Sequence, residues 1–201
     1  MIKAIVFDFG NVVGFFDYRR GLQKLGPDSE CTIDKVTALL SGSELEDRIE
    51  RGQLASDAFL DHVLNLTGLK CSRERLRDAF VDIFWENGEI AALVPRLKPR
   101  YRLLLGSNTC ELHALQFKKQ FAHVLRHFDH LVLSYEIGFR KPEPAFYHHC
   151  LGYAEVAPDE CVFIDDLPPN VDGARKCGLH GIVYRGFEDF CRNLAGLGIE
   201  F

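Results

Sequence analysis

The sequence predicts an α/β protein, in which a parallel sheet is layered with helices and interrupted once by a helical insertion. Three observations carry this prediction. Five short, nearly continuous apolar runs are spread along the 201 residues, as expected for strands covered on both faces. Helical patterns alternate with four of these runs over residues 95–201, the signature of a parallel sheet built from right-handed crossover units. Residues 16–90 carry helical patterns and no convincing strand.

In chain order, the first run is IKAIVFDFGNVV, where Ala4-Ile5-Val6-Phe7 delivers Asp8 to a turn at Phe9-Gly10-Asn11. The insertion follows. SGSELEDRIERGQ opens with the capping box Ser43 and Glu46. SDAFLDHVLNLTG repeats apolar residues at helical spacing and ends on Gly68, and SRERLRDAFVDIF does the same, ending near Trp85. The later strands are predicted at 101–106 (YRLLLG), 131–134 (LVLS), 161–165 (CVFID) and 181–184 (GIVY). Helices are predicted at 110–121, 144–151 and 169–177, the last closed by Gly178. The division expected is a core of residues 1–15 and 91–201 with a helical cap over 16–90.

Composition narrows the function classes. With 47% hydrophobic and 26% charged residues, the chain reads as an ordinary globular domain. A net charge of −5 argues against nucleic-acid or anionic-membrane partners, and no apolar run has the length of a membrane span. The start Met1-Ile2-Lys3 leads straight into a strand and does not read as a signal peptide. The seven cysteines form no C-x-x-C pair and are read as reduced thiols, so the location expected is cytoplasmic.

Ligands of an open parallel sheet bind outside the carboxyl ends of its strands. Asp8 follows the first predicted strand, Ser107-Asn108-Thr109 the second, Arg140-Lys141-Pro142 lies soon after the third, and Asp165-Asp166 closes the fourth. Each cluster alone has an ordinary structural explanation. Together they make a phosphoryl-transfer site. Three carboxylates brought together call for a hard divalent cation such as Mg²⁺. Ser107, the Asn108 backbone N–H and Lys141 would serve as donors to phosphoryl oxygens.

The motifs VFDFGNVV, LLLGSNT, GFRKPEP and VFIDDLPPNVDGARKCG, in this order and spacing, resemble the four motifs of the haloacid-dehalogenase superfamily of hydrolases. The insertion after the first motif resembles that family's first, helical cap type. FDFGNVV, SNTCELH and RKPEPAFY resemble a branch that includes bacterial glucose-1-phosphatase. The resemblance implies a Rossmann-like core with a helical cap. It implies that Asp8 attacks phosphorus to form an aspartyl-phosphate, and that Asp166, Asp8 and the Gly10 carbonyl bind Mg²⁺ with support from Asp165. Ser107, Asn108 and Lys141 would bind the phosphoryl group, and Asn170 either buttresses the fourth-motif loop or simply starts a helix.

The phosphatases resembled mostly have a second Asp two residues after the nucleophile, which protonates the leaving alkoxide and then activates water. Here that residue is Gly10. Such an acid–base group contributes roughly two to four orders of magnitude. Three readings follow. One is a Mg²⁺-dependent phosphatase for a small phosphorylated metabolite, such as a sugar phosphate, with another proton carrier or a leaving group that needs little protonation. Another is a dehalogenase, which would leave the acidic pair without a purpose. The third is a non-catalytic binding or scaffold protein, which has no need of Asp8, Ser107, Lys141 and Asp166 together. The intact set of Asp8, Ser107, Lys141, Asp165 and Asp166 favours the phosphatase.

Several other polar and aromatic residues have plainer explanations. His123, His127, Asp129 and His130 could form a zinc site but are better explained as a surface helix end. His148 and His149 are adjacent, so at most one of them can face the site. His113 is expected on the surface, and Phe80 to Trp85 in the core of the cap. Phe15, Phe16 and Tyr18 follow the catalytic turn and either close over substrate or pack the hinge, contact with substrate being the expectation.

Overall fold

The structure, a computed structural model, describes residues 1–26, 34–38 and 42–201. Five strands form one parallel sheet: β1 (Ala4–Phe7), β4 (Arg102–Ser107), β5 (His130–Leu133), β6 (Cys161–Asp165) and β7 (His180–Val183). Their spatial order is β5-β4-β1-β6-β7, which puts β1 at the centre with β4 and β6 on its flanks. Two further strands, β2 (Gly14–Phe16) and β3 (Phe84–Glu86), pair antiparallel as a separate ribbon. Every side chain of β1 is buried, because helices cover both faces of the sheet. One face packs Phe7, Leu103, Leu105 and Ile164 against Phe117, Phe190 and Leu194. The other packs Val6, Leu104 and Phe163 against Phe146, Tyr147 and Cys150.

The expected strands are present with ends displaced by a residue or so. Ser134, expected to end a strand, instead begins the helix Ser134–Ile137. Its hydroxyl accepts from the Thr109 backbone N–H at 2.9 Å and donates to the Thr109 carbonyl at 3.0 Å, so the residue ties β5 to the loop after β4. The helices Glu111–Gln120, Pro144–Ala154 and Pro168–Lys176 lie where the periodicity places them.

The insertion leaves the sheet through β2 and returns through β3. Between these lie the helices Tyr18–Leu22, Glu44–Glu50, Ser56–Thr67 and Arg73–Val81. They share a hydrophobic cluster built on Leu22, Ile49, Phe59, Leu60, Leu76 and Phe80. The Ser43 hydroxyl accepts from the Glu46 N–H at 3.0 Å and the Glu46 carboxylate accepts from the Gly42 N–H at 2.8 Å, which starts Glu44–Glu50. Gly52, just after this helix, has φ of 67°, and a Cβ there would stand 2.3 Å from the Tyr135 carbonyl oxygen, so this contact between insertion and sheet domain requires glycine.

Three expectations fail in this region. The last insertion helix stops at Val81, and Phe84–Glu86 is a strand, too short to register as a period. Ile83 and Phe84 pack into the sheet-domain core, and Trp85 is 39% exposed beside Phe15. His113, expected on the surface, is buried. It sits on the side of Glu111–Gln120 that faces the insertion, its ring stacks on Phe80, and its Nε2 donates to the Phe80 carbonyl at 3.1 Å. Cys71, Cys110, Cys150, Cys161, Cys177 and Cys191 are free thiols, and Cys31 lies outside the described residues. No helix among the described residues is long and apolar enough to cross a membrane.

The burial of His113 has a consequence for stability. Desolvation pushes the imidazole down to about 4 from 6.5, against the opposing bond to Phe80. The unfolded chain therefore binds a proton that the folded chain refuses. The stability associated with neutral His113 is complete above pH 6.5 and is lost as pH falls toward 4, amounting to about 2 kcal/mol at pH 5. Urea unfolding at pH 7 and pH 5 should show an acid loss that is smaller by this amount in His113→Gln than in wild type. An identical acid loss in both proteins would refute the assignment.

Candidate active site

The site is assembled at the carboxyl edge of the sheet. The Asp8 N–H donates to the Ile164 carbonyl at 2.8 Å, continuing the ladder between β1 and β6 by one residue and holding Asp8 at the strand exit. The Asp8 carboxylate accepts from the Phe9 N–H at 2.7 Å. Asp165 ends β6 on the adjacent strand, Ser107 ends β4 on the other side, and all three are buried. Parallel pairing of β1 with both neighbours therefore brings together residues that are far apart in sequence.

Lys141 binds the cluster together. Its ammonium lies 2.7 Å from Asp8 Oδ1 and 2.8 Å from Asp165 Oδ2, and it donates to the Gly106 carbonyl at 3.0 Å. Desolvation alone would lower the Lys141 pKa, but Asp165 and Asp8 together raise it, so the residue is a permanent cation here. Asn108 sets its backbone: the Asn108 amide donates to the Lys141 carbonyl at 3.0 Å and accepts from the Lys141 N–H at 2.8 Å. The Asn108 side chain is thus committed to the loop and leaves only its backbone N–H for a ligand. The Lys141–Pro142 peptide is cis.

Asp165 is saturated. Its oxygens accept from Lys141, from the Leu167 N–H at 2.9 Å and from the Asn170 amide at 3.0 and 3.1 Å. Asn170 is held in turn by its carbonyl, which accepts from the Tyr147 hydroxyl at 2.6 Å. Asn170 therefore braces the loop after β6.

Asp166 is only partly buried, and its Oδ2 accepts from the Asn11 amide at 3.0 Å. Asn11 has a left-handed φ of 56°, which Asn tolerates better than most residues. One carboxylate oxygen from each of Asp8, Asp165 and Asp166 lies within 4.8 Å of the others. Three carboxylates face one ammonium, so the cluster is short of positive charge. Burial, with the neighbouring carboxylates, pushes Asp8 up to about 8 against the pull of Lys141 and raises Asp166 as well. This all-oxygen donor set fits a divalent cation, which would offset the deficit.

A cavity of about 320 Å³ opens over the cluster. Its floor includes Asp8, Gly10, Lys141 and Asp166, and its other wall is formed by Phe16, Glu46 and Glu50. An adjoining cavity of about 210 Å³ shares Gly10, Phe16, Glu46 and Glu50 and is lined also by Ser107, Tyr18 and His113. Phe16 and Tyr18 thus face the site, whereas Phe15 packs beside Trp85. Gly10 does not occupy left-handed backbone. A Cβ built on it would meet Phe16 Cε1 at 3.1 Å, a contact that a small ring shift relieves.

Arg140 joins the two walls. Its guanidinium lies 2.9 Å from Asp47 and 2.7 Å from Glu50. Arg51 reaches back to the Gly138 carbonyl at 3.3 Å and pairs with Glu143. These links, together with Asn11, Glu46 and Glu50, were not legible in sequence. The only signal was that Asn11 follows Gly10 in a turn and that the glutamates recur one helical turn apart. The remaining histidines lie elsewhere. His123 pairs with Glu86, His130 stacks on Tyr153, and His148 and His149 line a different surface depression.

Comparison with known proteins follows the same outline. Residues 2–178 match the family model for hydrolases described as haloacid dehalogenase-like hydrolase. The chain is 30% identical over 189 residues to D-ribitol-5-phosphate phosphatase of Bacteroides thetaiotaomicron, covering 89% of each protein. Its fold is similar to the crystal structure of a HAD family enzyme from Bacteroides thetaiotaomicron in complex with magnesium and inorganic phosphate. That match has a TM-score of 0.81 at 23% identity and covers 96% of this chain and 99% of that one. A predicted HAD-like family hydrolase from Porphyromonas gingivalis gives a TM-score of 0.82 at 23% identity, with full coverage of both chains.

Proposed function

This chain belongs to the haloacid dehalogenase-like hydrolases, and from that premise we propose that it is a Mg²⁺-dependent phosphatase of small phosphorylated metabolites, with sugar or polyol phosphates as the substrate class. The observation that carries the reading is the meeting of Asp8, Asp165 and Asp166 within 4.8 Å, with Lys141 bonded to two of them. The ribitol-5-phosphate phosphatase relative supports a phosphorylated polyol or sugar.

Asp8 is the nucleophile. Its carboxylate attacks phosphorus, the bond to the ester oxygen breaks, and the phosphoryl group is carried as an aspartyl-phosphate until water displaces it. Lys141 opposes the burial that raises Asp8, so it favours the ionised carboxylate, and it places positive charge beside the phosphoryl oxygens. The Ser107 hydroxyl and the Asn108 backbone N–H hold the remaining oxygens. Asp8, Asp166 and the Gly10 carbonyl would hold Mg²⁺, while Asp165 acts from behind by fixing Lys141. When bound, the cation neutralises charge on the phosphoryl group. Residues 16–90 serve as the cap that closes over the substrate and excludes large ones.

The test is phosphate release from a panel of phosphorylated metabolites with Mg²⁺ and with excess chelator. Activity should require the cation, and Asp166→Ala should lose metal affinity, read by calorimetry, together with at least roughly 10²-fold in turnover. Full turnover in excess chelator would overturn the reading and favour displacement at carbon.

A further inference from the structure

Gly10 leaves the position next to the nucleophile without a proton carrier, and a carboxyl, that of Glu50, lines the opposite wall of the same cavity. We infer that Glu50 is the general acid and base of this site, reaching the reacting oxygens from the inserted helices; the inference rests on the phosphatase reading above.

Three observations support it. Glu50 closes the helix Glu44–Glu50 and lines the same cavity as Asp8, Gly10 and Lys141. Its Oε2 is buried and ion-paired with Arg140 Nη2 at 2.7 Å, with no other partner among the described residues, so the carboxyl is held in place on the cavity wall. Glu46, the other carboxyl on this wall, is already committed to the Gly42 N–H.

The charges around Glu50 fit the role. Glu46 and Asp47 share its helix, Arg140 and Lys141 face it from the loop after β5, Tyr18 and Cys110 border it, and Asp8 and Asp166 lie across the cavity. Desolvation is the largest influence and, with Glu46, pushes Glu50 up to about 7 against Arg140 and Lys141. A carboxyl of that acidity both donates and accepts protons near neutral pH. Tyr18 is raised well above its usual value and His113 is lowered to about 4, so neither is matched to this task.

In the first step the Asp8–phosphorus bond forms, the phosphorus–ester oxygen bond breaks, and the departing oxygen takes the Glu50 proton. In the second, the Glu50 carboxylate removes a proton from water, the water oxygen bonds to phosphorus, and the bond to Asp8 breaks. Inorganic phosphate leaves and Glu50 is protonated again. The Phe16 ring lies beside Gly10, its Cε1 3.1 Å from where a Cβ would stand, and keeps that face of the turn apolar.

The experiment is single-turnover cleavage of 4-nitrophenyl phosphate and of a primary alkyl phosphate, with Mg²⁺, across pH 5 to 9. The nitrophenolate leaves without a proton; the alkoxide does not. Glu50→Gln should slow the alkyl ester by roughly 10² to 10⁴-fold, leave the aryl ester within about tenfold, and remove the fall in alkyl-ester rate that wild type shows above about pH 7. The retained aryl rate reports that the variant is folded. Glu50→Asp should keep part of the alkyl-ester rate, and Gly10→Asp added to Glu50→Gln should restore part of it. Equal losses on both esters would make Glu50 a support for Arg140 and overturn the inference alone, as would an unchanged alkyl rate. Absence of phosphate release from either ester by wild type would overturn the phosphatase reading and this inference with it.

Discussion

Asp8→Asn is expected to abolish turnover, by on the order of 10⁴-fold or more, while the protein stays folded. The substitution keeps the size of the side chain and its acceptor for the Phe9 N–H, but replaces the attacking oxygen anion by an amide that cannot form an acyl-phosphate. It also removes one of the three carboxylates that gather around the cation site. The loss should fall on aryl and alkyl esters alike, because both require the same attack at phosphorus. This sets it apart from the effect of Glu50→Gln. Single-turnover assays of the purified variant, with circular dichroism as the control for folding, decide the matter. A variant that kept a tenth of the wild-type rate would rule out the covalent route.

Lys141→Met is expected to damage both stability and activity. Met has nearly the length of Lys but no charge, so Asp165, which is completely buried, and Asp8, which is nearly so, would be left facing each other. Removing one partner of a buried ion pair costs about 3–5 kcal/mol, because the charge left behind is uncompensated. The Gly106 carbonyl would lose its donor as well. Activity should fall further than the loss of folded protein explains, since Lys141 is what opposes the burial that raises Asp8 and disfavours its attacking carboxylate form. Chemical denaturation of both proteins at neutral pH gives the stability change, and assays at a temperature where the variant is folded give the activity. A change below about 1 kcal/mol would show that the ion pairs are not what holds the cluster together.

The sheet was legible because its strands are covered on both faces. A run such as CVFID has no polar side to present to water, so it reads as a continuous apolar stretch that ends on a charge. The carboxylates at the strand ends were legible for the same reason. Asp8 and Asp165 interrupt apolar runs, and burying a carboxylate requires a partner that composition does not supply locally. Short elements were not legible. Phe84–Glu86 spans three residues, which is too few for a period, and it becomes a strand only because Gly14–Phe16 lies alongside it. His113 was misplaced because one helix can bury a second face against an insertion that sequence periodicity does not locate.

The sequence by itself determined the order of the elements, the helical character of the insertion, and the set of residues that meet at the sheet edge. These follow from local periodicity and from the rule that crossover units in a parallel sheet place their strand ends on one side. The tertiary structure alone decided what each of those residues contacts. It spent the Asn108 and Asp165 side chains on fixing Lys141, which leaves Asp8 and Asp166 facing the cavity. It also brought Glu50 from the insertion to the wall opposite Gly10, with Arg140 beside it. No periodicity encodes that approach, because it depends on how the insertion packs against the sheet domain around the cavity, and a carboxyl's acidity is set by the water and charges excluded or admitted there.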